Sequence, residues 1–199
     1  MGTALRRNTM KLRILLALLG KPDGSLTRYG IAKLVGCTPS WVVQLIHQFE
    51  QKGLVSGTKV KTVDGLIDSY LEIAPKLAYR EYYVKDPLAF LKASKLDYAL
   101  TTYGAENLVS SHLFPTRYDV YIHRKDFEKW RERIIKGGLL GKGNLRLYFP
   151  VDELVIEEGT LVKGIRVVSV AQLLIDLKRE GGVCGEAYEM LRDEHVRRH

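Results

Sequence analysis

The sequence predicts an α+β protein in two parts: a mainly helical N-terminal part closed by a hairpin, then an α/β part on a mixed sheet. Three observations carry this. Val42, Leu45, Ile46 and Phe49 recur at helical spacing just after a short helix and tight turn. Past residue 97, strand-like and helix-like stretches alternate. The excess positive charge is confined to the first third of the chain.

The chain has 199 residues, 46% hydrophobic and 27% charged. That is enough apolar mass for a core, and too much for a disordered tail. The longest apolar run, Ile14 to Leu19, is far too short to span a bilayer. It leads into Gly20-Lys21-Pro22-Asp23-Gly24, which lacks a small-residue cleavage pattern, so a cytoplasmic protein is expected. Cys37 and Cys184 stand too far apart in sequence to suggest a disulfide framework or a metal-ligand pair. No metal or cofactor is expected.

Net charge is +8, from 31 Lys and Arg against 23 Asp and Glu. Residues 1–62 hold ten of the basic residues and two acids, Asp23 and Glu50, whereas residues 63–199 balance at 21 of each. Such concentration is the footprint of a nucleic-acid-facing domain.

Element by element, residues 7–19 read as a helix stopped by Gly20 and Pro22. A second helix follows Thr27 as N-cap and ends at Gly36. Pro39 suits the first turn of a third, which Gly53 ends. Two helices joined by a tight turn, the second with a one-sided apolar stripe, form a helix-turn-helix. Residues 53–63 then look extended, Asp64-Gly65 is a strong hairpin dipeptide, and residues 66–73 read as the returning strand. The predicted order is that of a winged helix-turn-helix. The run Ser40 to Val55 resembles the passage from recognition helix to wing in winged-helix transcription regulators.

With the apolar stripe inward, Ser40, Trp41, Val43, Gln44, His47 and Gln48 fall on or beside the outer face and are the candidate base contacts. Gln44 and Gln48 suit adenine N6 and N7, His47 can donate to a base or phosphate, and Ser40 can reach a phosphate. Trp41 suits a sugar, a thymine methyl or the cover of the inter-helix turn. The helix has no cation before Lys52, so phosphate contacts are expected from Arg6, Arg7, Arg28, Lys33, Lys59 and Lys61. An Asp64-Gly65 turn would set Lys61 opposite Asp68 and Lys59 opposite Tyr70, leaving Lys59 the freer cation.

Residues 76–96 read as a connector with a short helix begun by Pro87. Strands are expected at 97–102, 117–123 and 145–150, and helices at 104–112 and 126–136. A hairpin over 154–168 should turn at Glu158-Gly159. Helices at 170–180, capped by Ser169, and 185–197 close the chain. The domain boundaries are thus 1–75, 76–96 and 97–199.

Tyr98 to Leu108 and Ile165 to Leu177, each a strand running into a helix, resemble the effector domain of AbiEi-type antitoxins. The layout, a winged helix followed by an α/β domain, is similar too. The resemblance implies a regulator that represses its own operon and counters a nucleotidyltransferase toxin.

Catalytic patterns are weak. A nucleotidyltransferase needs a Gly-Ser step and paired carboxylates for Mg²⁺. The nearest stretch, residues 115–121, offers Asp119 alone, with Tyr121 in the second position, and Asp119 reads as a strand-end surface acid. Gly137 to Gly143 has the wrong spacing for a P-loop and reads as a flexible loop. The expectation is therefore a double-stranded-DNA-binding regulator, acting as a homodimer, without catalytic residues. The alternatives are a degenerate nucleotidyltransferase and a winged-helix protein-docking scaffold.

Overall fold

The computed structural model describes the backbone of residues 2–140 and 143–199, and the side chains outside 1–6 and 137–142. The chain is α+β and divides into two compact units, Met1–Pro75 with Glu189–His199, and Lys76–Tyr188. Among the described residues, no helix is long and apolar enough to cross a membrane.

In the first unit, α1 (Gly2–Gly20) buries Leu12, Ile14, Leu15, Leu18 and Leu19. Thr27 caps α2 (Arg28–Val35), its side chain accepting from the Gly30 N–H. Gly36 ends the helix at φ +74°, a left-handed conformation that glycine adopts without the Cβ clash. Pro39 opens α3 (Pro39–Gln51), which buries Val42, Leu45, Ile46 and Phe49. Each such burial is worth roughly 1.5–3 kcal/mol, so this stripe fixes which face of α3 looks outward. A two-stranded antiparallel ribbon follows: β1 (Val55–Ser56) pairs with β2 (Lys59–Val60).

The structure then departs from expectation. Asp64-Gly65 is not a hairpin turn; it lies in the first turn of α4 (Val63–Ile73). Val63, Leu66, Ile67 and Tyr70 are buried at spacings of three, four and seven, so helical periodicity overrides the local dipeptide signal. Gly65 serves close packing: a Cβ there would lie 2.5 Å from the Leu54 side chain. The ribbon turns earlier, at Gly57-Thr58, and Lys59 pairs with Ser56 rather than Tyr70. The expected facing of Lys61 and Asp68 is lost as well, because Asp68 belongs to α4.

The second unit is built on a seven-stranded mixed sheet. Residues 76–96 are not a connector. They supply β3 (Tyr79–Val84) and α5 (Pro87–Lys92), the latter capped by Asp86. Next come β4 (Tyr98–Thr101), α6 (Thr102–Val109), β5 (Tyr118–Ile122), a 3-10 turn at Arg124–Asp126 and α7 (Phe127–Gly137). Then follow β6 (Gly138–Leu140), where a loop was expected, β7 (Leu145–Tyr148) and α8 (Leu154–Glu157). The chain ends with β8 (Thr160–Val162), β9 (Ile165–Val167), α9 (Val170–Glu180) and α10 (Cys184–Arg197).

The sheet order is β6-β3-β7-β5-β4-β9-β8. β4 with β9 and β5 with β7 run parallel, and the other pairs run antiparallel. Residues 154–157 form a helical turn rather than a strand, with Asp152 Oδ1 accepting from the Leu154 N–H at 3.2 Å. The hairpin turn accordingly moves from Glu158-Gly159 to Lys163-Gly164. Ser169 caps α9 through the Gln172 N–H at 3.3 Å.

From Glu189 onward, α10 groups with the first unit rather than the second. Leu191 is buried, Arg192 Nη1 donates to Asp64 Oδ2 at 3.0 Å, and His195 is buried.

Candidate nucleic-acid interface

The sequence-predicted contacts fall on one helix face. Ser40, Val43, Gln44, His47 and Gln48 are exposed, and Trp41 is half-buried at the start of α3. The stripe of Val42, Leu45, Ile46 and Phe49 lies on the opposite, buried side. The outer surface is polar and almost uncharged. His47 is 68% exposed, and its Nε2 lies 3.1 Å from Gln51 Nε2. Among the predicted readers, Ser40, Gln44 and Gln48 offer hydroxyl or amide groups able to match base edges or phosphates.

The ribbon is anchored beside this helix by bonds invisible in the sequence. Gly57 N–H donates to Glu50 Oε1 at 2.7 Å, tying the ribbon turn to α3. Val60 N–H donates to the Pro22 carbonyl at 2.9 Å, and Thr58 Oγ1 to the Gly24 carbonyl at 3.1 Å. Lys59 and Lys61 are exposed. Arg7, Arg28 and Lys33 are exposed too, while the side chain of Arg6 lies outside the described residues. Arg28 is the most compromised of these cations, its Nη2 standing 4.0 Å from Glu50 Oε1.

Glu50, which in the sequence stands out only as one of two acids in a basic stretch, has a structural role as well. It holds the ribbon and lies within 4.0 Å of both Arg28 and His47. Its position three residues after His47 and seven before Gly57 was the available signal. The charge balance also changes once the true unit is known. Adding α4 and the end of α10 brings in three more cations and six acids. Residues 1–75 and 189–199 thus hold 13 basic and eight acidic residues, a net +5.

In the second unit, Asp119 is not a surface acid; it is fully buried. Arg117 Nε donates to its Oδ1 at 2.9 Å, and Thr102 Oγ1 to its Oδ2 at 2.5 Å. An interior strand places the carboxylate inward, and these donors satisfy it there. Asp176, on α9, is buried too and accepts from Thr101, Tyr121, Gln172 and Arg179. Burial pushes its carboxyl above the ordinary range, against the pull of Arg179 and the hydroxyls. Among the described residues there is no group of three or more His, Cys, Asp or Glu placed to hold a metal ion.

The chain matches no protein-family profile, no curated protein and no solved structure.

Proposed function

We propose that this protein is a double-stranded-DNA-binding transcription regulator of winged helix-turn-helix type. It lays the outer face of α3 in the major groove and sets the β1–β2 ribbon, as a short wing, against the flanking phosphates. The observation that carries this is the division of α3. Four apolar residues are buried on one side, while Ser40, Gln44, His47 and Gln48 are exposed on the other. Gln44 and Gln48 read bases; Arg7, Lys33, Lys59 and Lys61 neutralise phosphates, with Arg28 shared between phosphate and Glu50. Such modules act in pairs on inverted repeats, so the working species is a homodimer.

The resemblance to AbiEi-type antitoxins extends the proposal to a repressor of its own operon that counters a nucleotidyltransferase-type toxin. Selection from a random duplex pool, set against the DNA upstream of its own gene, tests the core reading. A recovered inverted repeat supports it, and an unenriched pool defeats it. Co-purification with the product of the neighbouring gene tests the toxin partner separately.

One observation favours protein docking as a second reading. Tyr29 and Leu34 on α2 are 71% and 57% exposed, more than a phosphate-facing helix requires. If Lys59→Ala and Lys33→Ala leave nucleic-acid affinity unchanged, docking replaces DNA binding.

A further inference from the structure

We infer that β8, an edge strand of the seven-stranded sheet, is a docking surface for β8 of a second copy of this chain. The two strands pair antiparallel about a twofold axis through Leu161 and join two sheets into one. The edge lies wholly in Lys76–Tyr188. It serves the homodimer proposed above, resting on that reading for its purpose but not for its geometry.

The hairpin register decides which backbone groups are open. β8 pairs with β9 and ends the sheet. Lys163 and Gly164, at φ +51° and +83°, form the two-residue turn between them. The residues that flank such a turn, Val162 and Ile165, exchange both backbone hydrogen bonds, and the pairs alternate from there. Leu161 and Arg166 are therefore a pair without hydrogen bonds, and the N–H and C=O of Leu161 point away from β9. Among the described residues no other group bonds to them. Two copies of this edge, set antiparallel, satisfy all four groups with the two hydrogen bonds that Leu161 and its copy exchange.

The side chains agree with the backbone. Leu161 is 72% exposed, and Thr160–Val162 contains neither a charge nor a proline, the devices that keep an edge from pairing. In the twofold arrangement Leu161 packs against its own copy across the new pair. Charge then selects a second copy as the partner. Glu157 and Glu158, both exposed, precede the strand, and the exposed Lys163 follows it. Lys92 of α5 joins Lys163 there, its Nζ 3.6 Å from where a Gly164 Cβ would stand. One end of the edge is acidic and the other basic. About the axis through Leu161, Gly159 faces Lys163 of the second copy, so the acidic end of each strand meets the basic end of the other. Parallel pairing would set like charges together. Three residues a side fall far short of the roughly 1,600 Å² of a standard interface, so this dimer is weak and concentration-dependent.

The test is sedimentation equilibrium of the full chain without DNA, from about 5 µM to about 500 µM, paired with hydrogen exchange at the Leu161 amide. A monomer–dimer equilibrium is expected, with exchange at Leu161 slowing as the dimer forms. Leu161→Asp should weaken association about 10-fold. Two charge variants separate the interface from any effect on folding. Lys92→Glu with Lys163→Glu makes both ends of the edge acidic, and Glu157→Lys with Glu158→Lys makes both basic. Each should stay monomeric alone, and an equimolar mixture should dimerise. A chain monomeric throughout, a dimer that leaves Leu161 exchange unchanged, or charge variants that associate as well alone as mixed would overturn the assignment. With no DNA present, a monomer defeats this interface and leaves duplex binding standing. An unenriched duplex pool defeats the regulator and leaves the dimer standing.

Discussion

The imidazole Nε2 of His195 lies 2.7 Å from the carbonyl oxygen of Leu19, joining residues 176 positions apart in sequence. Both belong to the first unit, so the C-terminal end of α10 is part of the body that carries α3. The ring is buried, and as a neutral imidazole it donates Nε2–H to a carbonyl that α1 leaves open at its end.

Acid should loosen this joint. Burial lowers the His195 pKa below the ordinary imidazole value, aided by the neighbouring charges of His199, Arg198 and Lys21. The unfolded chain then takes up the proton first. The stability that neutral His195 contributes is complete above about pH 6.5, and is lost as pH falls from there through the folded pKa. Urea midpoints at about pH 7.5 and pH 5.5 should show this fall, and His195→Gln should flatten it.

Leu66→Ala should cost about 2–5 kcal/mol, because Leu66 is fully buried on α4. Glu72→Ala, exposed on the same helix, should change stability by less than about 0.5 kcal/mol. Denaturant unfolding of the two variants checks the contrast.

Removing the Glu50 carboxylate should free the ribbon and spare the helix. The Gly57 N–H loses its 2.7 Å acceptor in Glu50→Ala, worth about 1 kcal/mol. Its amide should exchange roughly fivefold faster, while Leu45 and Ile46 keep their protection. Hydrogen exchange resolves the difference residue by residue.

If four to six phosphates are neutralised, log Kd should vary with log salt at a slope of magnitude roughly 4 to 5. Lys59→Ala should reduce that magnitude by about 1 and weaken all sequences alike. Gln44→Ala should relax preference at one base position, at a cost of about 1–3 kcal/mol. Anisotropy titrations on matched and single-substituted duplexes separate the two effects.

What was legible in the chain was local and periodic. Thr27, Gly36 and Pro39 mark helix ends through their own backbone chemistry, and the Val42 to Phe49 stripe needs only helical spacing. What escaped depended on distant partners. Residues 79–84 become a strand because β7 and β6 pair with them on either side, Tyr79 facing Tyr148 and Val84 facing Gly138. Asp119 looked like a surface acid until its strand placed it against Thr102 and Arg117. At α4 the signal was local, but the Asp64-Gly65 dipeptide masked the spacing of Val63, Leu66, Ile67 and Tyr70.

Amide NMR of the full chain with a duplex of about 20 base pairs bearing the selected site tests the interface most directly. The account predicts shifts concentrated at Ser40, Gln44, His47 and Gln48, with a second group at Lys59 and Lys61, and α4 unmoved. Saturable binding whose shifts bypass the outer face of α3 would contradict it.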